Sequence, residues 1–123
     1  MTISRVDIAI LSTVAASIAL GQYFFKRAGV SIRGASPEAA LRILALNPQF
    51  YIALALYGTS TVLWIFALSR MSLTQAYPWI IAASATVPLI GWLGFGERVN
   101  AGFWVGFALI LAGLAITQFS AAK

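Results

Sequence analysis

Long apolar runs alternate with short polar interruptions along this chain. Four runs stand out, over about 6–25, 49–69, 75–96 and 101–119. Each holds roughly 19 to 22 residues, enough at about 1.5 Å rise per residue to cross a hydrocarbon core of about 30 Å. They are too long, and alternate too little, to be strands. The pattern predicts an all-α membrane protein whose single domain, 1–123, has four transmembrane helices. The loops at 70–74 and 97–100 are short. Short loops predict antiparallel neighbours, so runs two, three and four are expected to pack as a compact up-down-up unit.

The one long connection, 26–48, contains "SPEAALRILALNP". Ser36 suits an N-cap, Pro37 the first helical position and Glu38 the first turn, and Pro48 is expected to end the element. A short helix over 37–46 is predicted. Leu41, Ile43, Leu44 and Leu46 beside Arg42 favour a helix lying at the membrane interface. A plain structured loop is the alternative. The first run is longer than the core of a secretory signal and further spans follow it, so it reads as a retained helix.

Composition supports the membrane reading. Of 123 residues, 61% are hydrophobic and 9% charged, against about a quarter charged in a soluble domain. The net charge is +5, but the basic residues sit at segment ends rather than along one helix face. They predict contact with anionic lipid headgroups and not with nucleic acid. With no cysteine and no histidine, thiol chemistry and His-based metal or pH-sensing sites are excluded, and no metal or cofactor is expected. Orientation is nearly balanced. Arg5, Arg70 and Lys123 fall on one side, and Lys26, Arg27, Arg33, Arg42 and Arg98 on the other. So small a bias admits insertion both ways, and with it an antiparallel dimer.

The middles of the four runs carry no ionisable acid or base, so a carboxylate-coupled proton pathway has no titratable group at mid-depth. Asp7 and Glu97 lie at segment ends, where they are expected to be solvated. The interior polarity is neutral. "YGTSTVLW" puts Tyr57, Thr59, Ser60, Thr61 and Trp64 near mid-membrane, and the first run holds Ser12, Thr13, Ser17 and Gln22. Gln22 and Lys26, four apart, share a helix face. Lys26 can supply charge to a phosphate at the interface and Gln22 a donor one turn deeper. Equally, Gln22 can bond a neighbouring helix while Lys26 snorkels to the headgroups.

In the third run, Pro78 falls in the first turn, where a missing N–H costs little. Pro88 lies about 15 Å deeper. There it frees the carbonyl of Ser84 and predicts a kink, as a hinge or as a static packing feature, with the Ser84 and Thr86 hydroxyls near the freed group. In the fourth run, Gly102, Gly106 and Gly113 fall near one face, and "GFWVG" permits close backbone approach. That face is the expected helix interface, within or between subunits. Thr13, Ser17 and Gly21 make a second stripe of small residues.

Three stretches carry a resemblance: "LGQYFFKRA", "WIFALSRMSLTQAYP" and "GFGERVNAGFWVGFALILAGLAI". They are similar to small four-helix members of the drug/metabolite transporter superfamily, which includes the small multidrug resistance exporters. The closest similarity is to subunits of the 4-amino-4-deoxy-L-arabinose-phosphoundecaprenol flippase, and it covers all four spans. When the chain is aligned on Lys26, the essential first-span Glu of the drug/proton antiporters falls at Ile18, which speaks against drug export. The resemblance implies a homodimer, or a heterodimer with a related four-span subunit. It also implies a substrate whose polar head enters a groove while its tail stays in lipid.

The predicted function is flipping of an undecaprenyl-phosphate-linked monosaccharide across the bacterial inner membrane, with no enzyme activity. Lys26, Arg27, Arg33 and Arg42 are the candidate phosphate ligands. Gln22, Tyr57, Ser60, Thr61, Trp64 and Tyr77 are the candidates to line the sugar cavity, with Pro88 as hinge. Two other readings stay open: a small multidrug or cation exporter, and a non-transporting scaffold for a membrane glycosyltransferase.

Overall fold

A computed structural model describes residues 3–121. They form five helices: α1 (Arg5–Ser31), α2 (Pro37–Leu46), α3 (Pro48–Leu68), α4 (Leu73–Phe95) and α5 (Ala101–Ala121). Four of them, all but α2, are long and apolar enough to cross a membrane.

Local chemistry sets the helix ends. Ser4 caps α1 in a reciprocal capping box with Asp7, and Ser72 caps α4 in another with Gln75, each box satisfying backbone donors that have no partner within the helix. Ser36 caps α2. Asn47 closes α2 and opens α3, its side-chain oxygen accepting from the Gln49 N–H at 2.9 Å. Pro48 therefore both stops α2 and occupies the first turn of α3, where its missing N–H goes unneeded. α4 ends at Gly96, which takes the left-handed conformation (φ 64°) at little steric cost. The backbone N–H groups of Gly96 and Glu97 both turn back to the Gly91 carbonyl. Asn100 caps α5 through the Phe103 N–H at 2.9 Å.

Two expectations are corrected. α1 does not stop near residue 25 but continues to Ser31, because nothing in Lys26-Arg27-Ala28 opposes helix. Lys26 and Arg27 thus project from a helix rather than from a loop. The second correction concerns packing. α3, α4 and α5 do not form the compact unit that their short loops suggested. α1 is the central helix, packing chiefly on α3 and next on α4, while α3 and α4 touch little and α5 packs on α4.

Small residues explain this arrangement. Along α1, Leu11, Val14, Ser17 and Gly21 form a buried stripe. On α3 the buried positions are Ala53, Ser60 and Ala67, seven apart, and on α4 they include Ala76 and Ala83, also seven apart. Such residues let backbones approach closely, the main source of helix association in lipid. A short loop fixes direction, but side-chain size decides which neighbour a helix meets. The tightest cluster joins Leu11, Ala67, Met71 and Ala76, with Trp64 and Trp79 against it.

α4 runs unbroken through Pro88. The Thr86 hydroxyl bonds the Ala83 carbonyl at 2.6 Å rather than that of Ser84. α5 has none of its span buried. Its first turns are held by edge-on aromatic contact, with Trp104 meeting Trp92 at 5.0 Å between ring centres. Gly106 and Gly113 have nothing within 4 Å of where a Cβ would stand, and at Gly102 the nearest atom is the Asn100 side-chain oxygen. The glycines therefore leave room for a close neighbour that the described residues do not supply.

Candidate functional site

Of several spaces along the bundle, two hold the expected polar residues. A groove of about 580 Å³ opens at the C-terminal end of α1, lined by Gln22, Lys26, Pro88, Gly91, Glu97 and Phe103 among others. A smaller chamber, about 290 Å³, lies deeper between α1, α3 and α4. Its walls are Val14, Ile18, Tyr57, Ser60, Thr61, Trp64, Tyr77 and Ile80. Small-molecule sites commonly measure about 300–1,000 Å³. Five of the six expected cavity residues thus line one chamber, and the sixth, Gln22, lines the groove. A hydrogen bond from Gln22 Nε2 to the Tyr57 hydroxyl divides the two spaces.

That divider depends on Gly21. A Cβ there would lie 2.6 Å from Cε2 of the Tyr57 ring, so only glycine lets the phenol lie flat against α1. Phe25 packs on the other side, its ring centre 5.1 Å from that of Tyr57. The chamber is mostly apolar, with Tyr57, Ser60, Thr61 and Tyr77 as its uncharged polar groups. Ser60 and Thr61 both donate to the Tyr57 carbonyl, at 2.9 and 2.8 Å, which leaves their oxygen lone pairs to accept from a guest. Ile18 stands in its wall, two turns and about 12 Å deeper than Lys26.

The charged ends are less solvated than the sequence suggested. Lys26 Nζ pairs with Glu97 Oε1 at 3.1 Å across the mouth of the groove. Glu97 arrives there because the left-handed Gly96 folds the chain back over Gly91, where any Cβ would meet its carboxylate at 2.6 Å. Half-exposed pairs of this kind are worth about 0–1 kcal/mol in water, so a ligand can open this one. At the opposite end, Arg70 Nε meets Asp7 Oδ1 at 2.5 Å. The other Asp7 oxygen accepts from the Ser4 N–H and hydroxyl at 3.0 and 2.9 Å. Asp7 is buried. Charges at matching depths on different helices were the signal for both pairs, but the sequence did not reveal which helices adjoin.

The four expected phosphate ligands separate. Lys26 lines the groove. Arg27 is tied down: Nη1 donates to the Tyr23 hydroxyl at 3.0 Å, and with the Gln49 amide turned oxygen-inward, Nε donates to it at 2.9 Å. Arg33, beyond α1, and Arg42, on α2, are exposed and line neither space.

Comparison with known proteins gives the family. The chain is 37% identical over 97 residues to the probable 4-amino-4-deoxy-L-arabinose-phosphoundecaprenol flippase subunit ArnE of Pseudomonas syringae pv. syringae, covering 77% of this chain and 84% of that protein. The subunits of the same name from Pseudomonas fluorescens and Proteus mirabilis are 32% and 31% identical. Each alignment covers 79% of this chain and 83% of the relative. No protein-family model matches the chain, and no solved structure does. The chain belongs to the family of 4-amino-4-deoxy-L-arabinose-phosphoundecaprenol flippase subunits.

Proposed function

We propose that the protein moves a polyprenyl-phosphate-linked monosaccharide between the leaflets of the bacterial inner membrane. Its headgroup passes through the bundle while its tail stays in lipid. The observation that carries this reading is the adjacency of two spaces. One is a groove with a lysine at its mouth, and the other is an uncharged, largely apolar recess deeper along α1 that carries Tyr57, Ser60, Thr61 and Tyr77, with a Gln22–Tyr57 hydrogen bond between them. Lys26 takes the phosphate, and Arg33 and Arg42 draw anionic headgroups to that surface. Arg27 chiefly braces α1 on α3. Parting of Gln22 from Tyr57 admits the sugar to the chamber, where Ser60, Thr61, Trp64 and Tyr77 receive it. Pro88, in the groove wall, is where α4 flexes. No bond is made or broken, so no enzyme activity is proposed.

A second four-span subunit, identical or related, completes the path against α5, with Gly102, Gly106 and Gly113 at the contact. Ile18 in the chamber weighs against a proton-driven exporter, which needs a carboxylate there. The open face of α5 would equally serve a scaffold, but a scaffold has no need of the groove.

A strain lacking the protein is expected to lose decoration of its envelope glycan by the lipid-carried sugar. Wild type should restore it fully, Pro88→Ala in part and Lys26→Ala not at all. Unaltered decoration in the deletion strain overturns the function. Full restoration by Lys26→Ala overturns the phosphate site.

A further inference from the structure

The groove mouth offers more than a binding site for an anion. It holds one cation and one anion, Lys26 and Glu97, 3.1 Å apart, in walls otherwise made largely of Phe25, Val87, Ile90, Phe95 and Phe103. A headgroup carrying phosphate alone would take Lys26 and leave the Glu97 carboxylate unpaired beside a second anion. Glu97 then loses its cation and gains a like charge beside it, and both changes are unfavourable, though tempered by the half-exposure of the mouth. A headgroup carrying phosphate and an ammonium group suits the mouth as it stands, since each of its charges replaces one that the pair gives up.

The two partners are held differently. Glu97 is fixed at its backbone: its N–H bonds the Gly91 carbonyl at 3.2 Å, directly after the left-handed Gly96. Its carboxylate rests where Gly91 has no side chain. Lys26 reaches across on a flexible stem from α1. When a ligand opens the pair, Lys26 follows the phosphate and Glu97 stays as a stationary acceptor.

We infer that Glu97 is a specificity-determining residue, whose carboxylate accepts the ammonium group of an amino sugar while Lys26 binds the phosphate that joins sugar to lipid. The inference rests on the flippase reading and adds to it the residue that reads the amine. The relatives are named for a 4-amino-4-deoxy sugar, but nothing in those names assigns a residue to the amine.

The test uses the protein purified from its own host, with any subunit that accompanies it, in lipid nanodiscs. The probes are a farnesyl-phosphate-linked 4-amino-4-deoxypentose and its N-acetyl counterpart, which keeps the phosphate and loses the cation. Wild type is expected to bind the amino lipid about tenfold or more tightly than the acetylated one, the scale of a lost charged hydrogen bond. Glu97→Gln should bring that ratio close to one, and Glu97→Asp should retain most of it. Lys26→Gln should weaken both lipids without lowering the ratio. Equal binding of the two lipids by wild type overturns the inference and leaves the flippase reading intact, as does a ratio unchanged in Glu97→Gln. Binding of neither lipid by wild type contradicts the flippase reading itself, and the inference falls with it.

Discussion

Gly21 shows how one missing methyl group positions a candidate site. The Tyr57 ring occupies the place its side chain would take, and Tyr57 in turn bonds Gln22. Gly21→Ala is expected to lower stability by about 1–3 kcal/mol, the usual cost of overpacking, seen as a lower unfolding temperature in nanodiscs. Gly29, on the same helix, has nothing within 4 Å of its missing Cβ. Gly29→Ala should be neutral or stabilise by about 0.5–1 kcal/mol, since glycine within a helix costs about that much. Equal losses at both sites would show that helix geometry, not the Tyr57 contact, governs position 21. The sequence marked Gly21 only as part of a stripe with Thr13 and Ser17. Thr13 is in fact exposed and bonds the Ala9 carbonyl at 2.8 Å, so the buried stripe runs through Leu11 and Val14 instead. Spacing by fours gave two of the right residues, but the choice of face depended on a partner that the sequence does not name.

Among elements, polar contacts tie α1 to both ends of α3: Asp7 to Arg70, just beyond its last turn, and Arg27 to Gln49 with that amide turned oxygen-inward. Asp7 is buried and Arg70 exposed, so removing Arg70 leaves a buried carboxylate without compensation. Asp7→Asn and Arg70→Gln should each lower the unfolding temperature, and the double variant should be no worse than the worse single one. Additive losses would show that the two side chains act independently. All the long helices were legible from hydrophobic run length, since lipid imposes a fixed length on any span. Their neighbours were not. The loop argument favoured α3 beside α4, whereas Ala53, Ser60, Ala67, Ala76 and Ala83 bring both onto α1. The chamber residues were legible because polar groups at mid-depth are costly and so few. The ion pairs were not, because helix adjacency had first to be known.

At the scale of the whole molecule, α5 stands apart. It is apolar on every side, buries none of its span and leaves open the space where Gly106 and Gly113 lack a side chain. If this face meets a second subunit, Gly106→Leu should reduce chemical cross-linking of the assembly in membranes several-fold, while the single chain keeps its helical content. Undiminished cross-linking would place the contact elsewhere. The path through the bundle belongs to the assembly as a whole. The most direct measurement is translocation of a labelled undecaprenyl-phosphate sugar across sealed vesicles containing the purified protein and any subunit that accompanies it. Protein-containing vesicles should expose the sugar to an external, membrane-impermeant reagent faster than empty ones, and Lys26→Ala should abolish most of that excess. Exposure no faster than in empty vesicles would contradict the account.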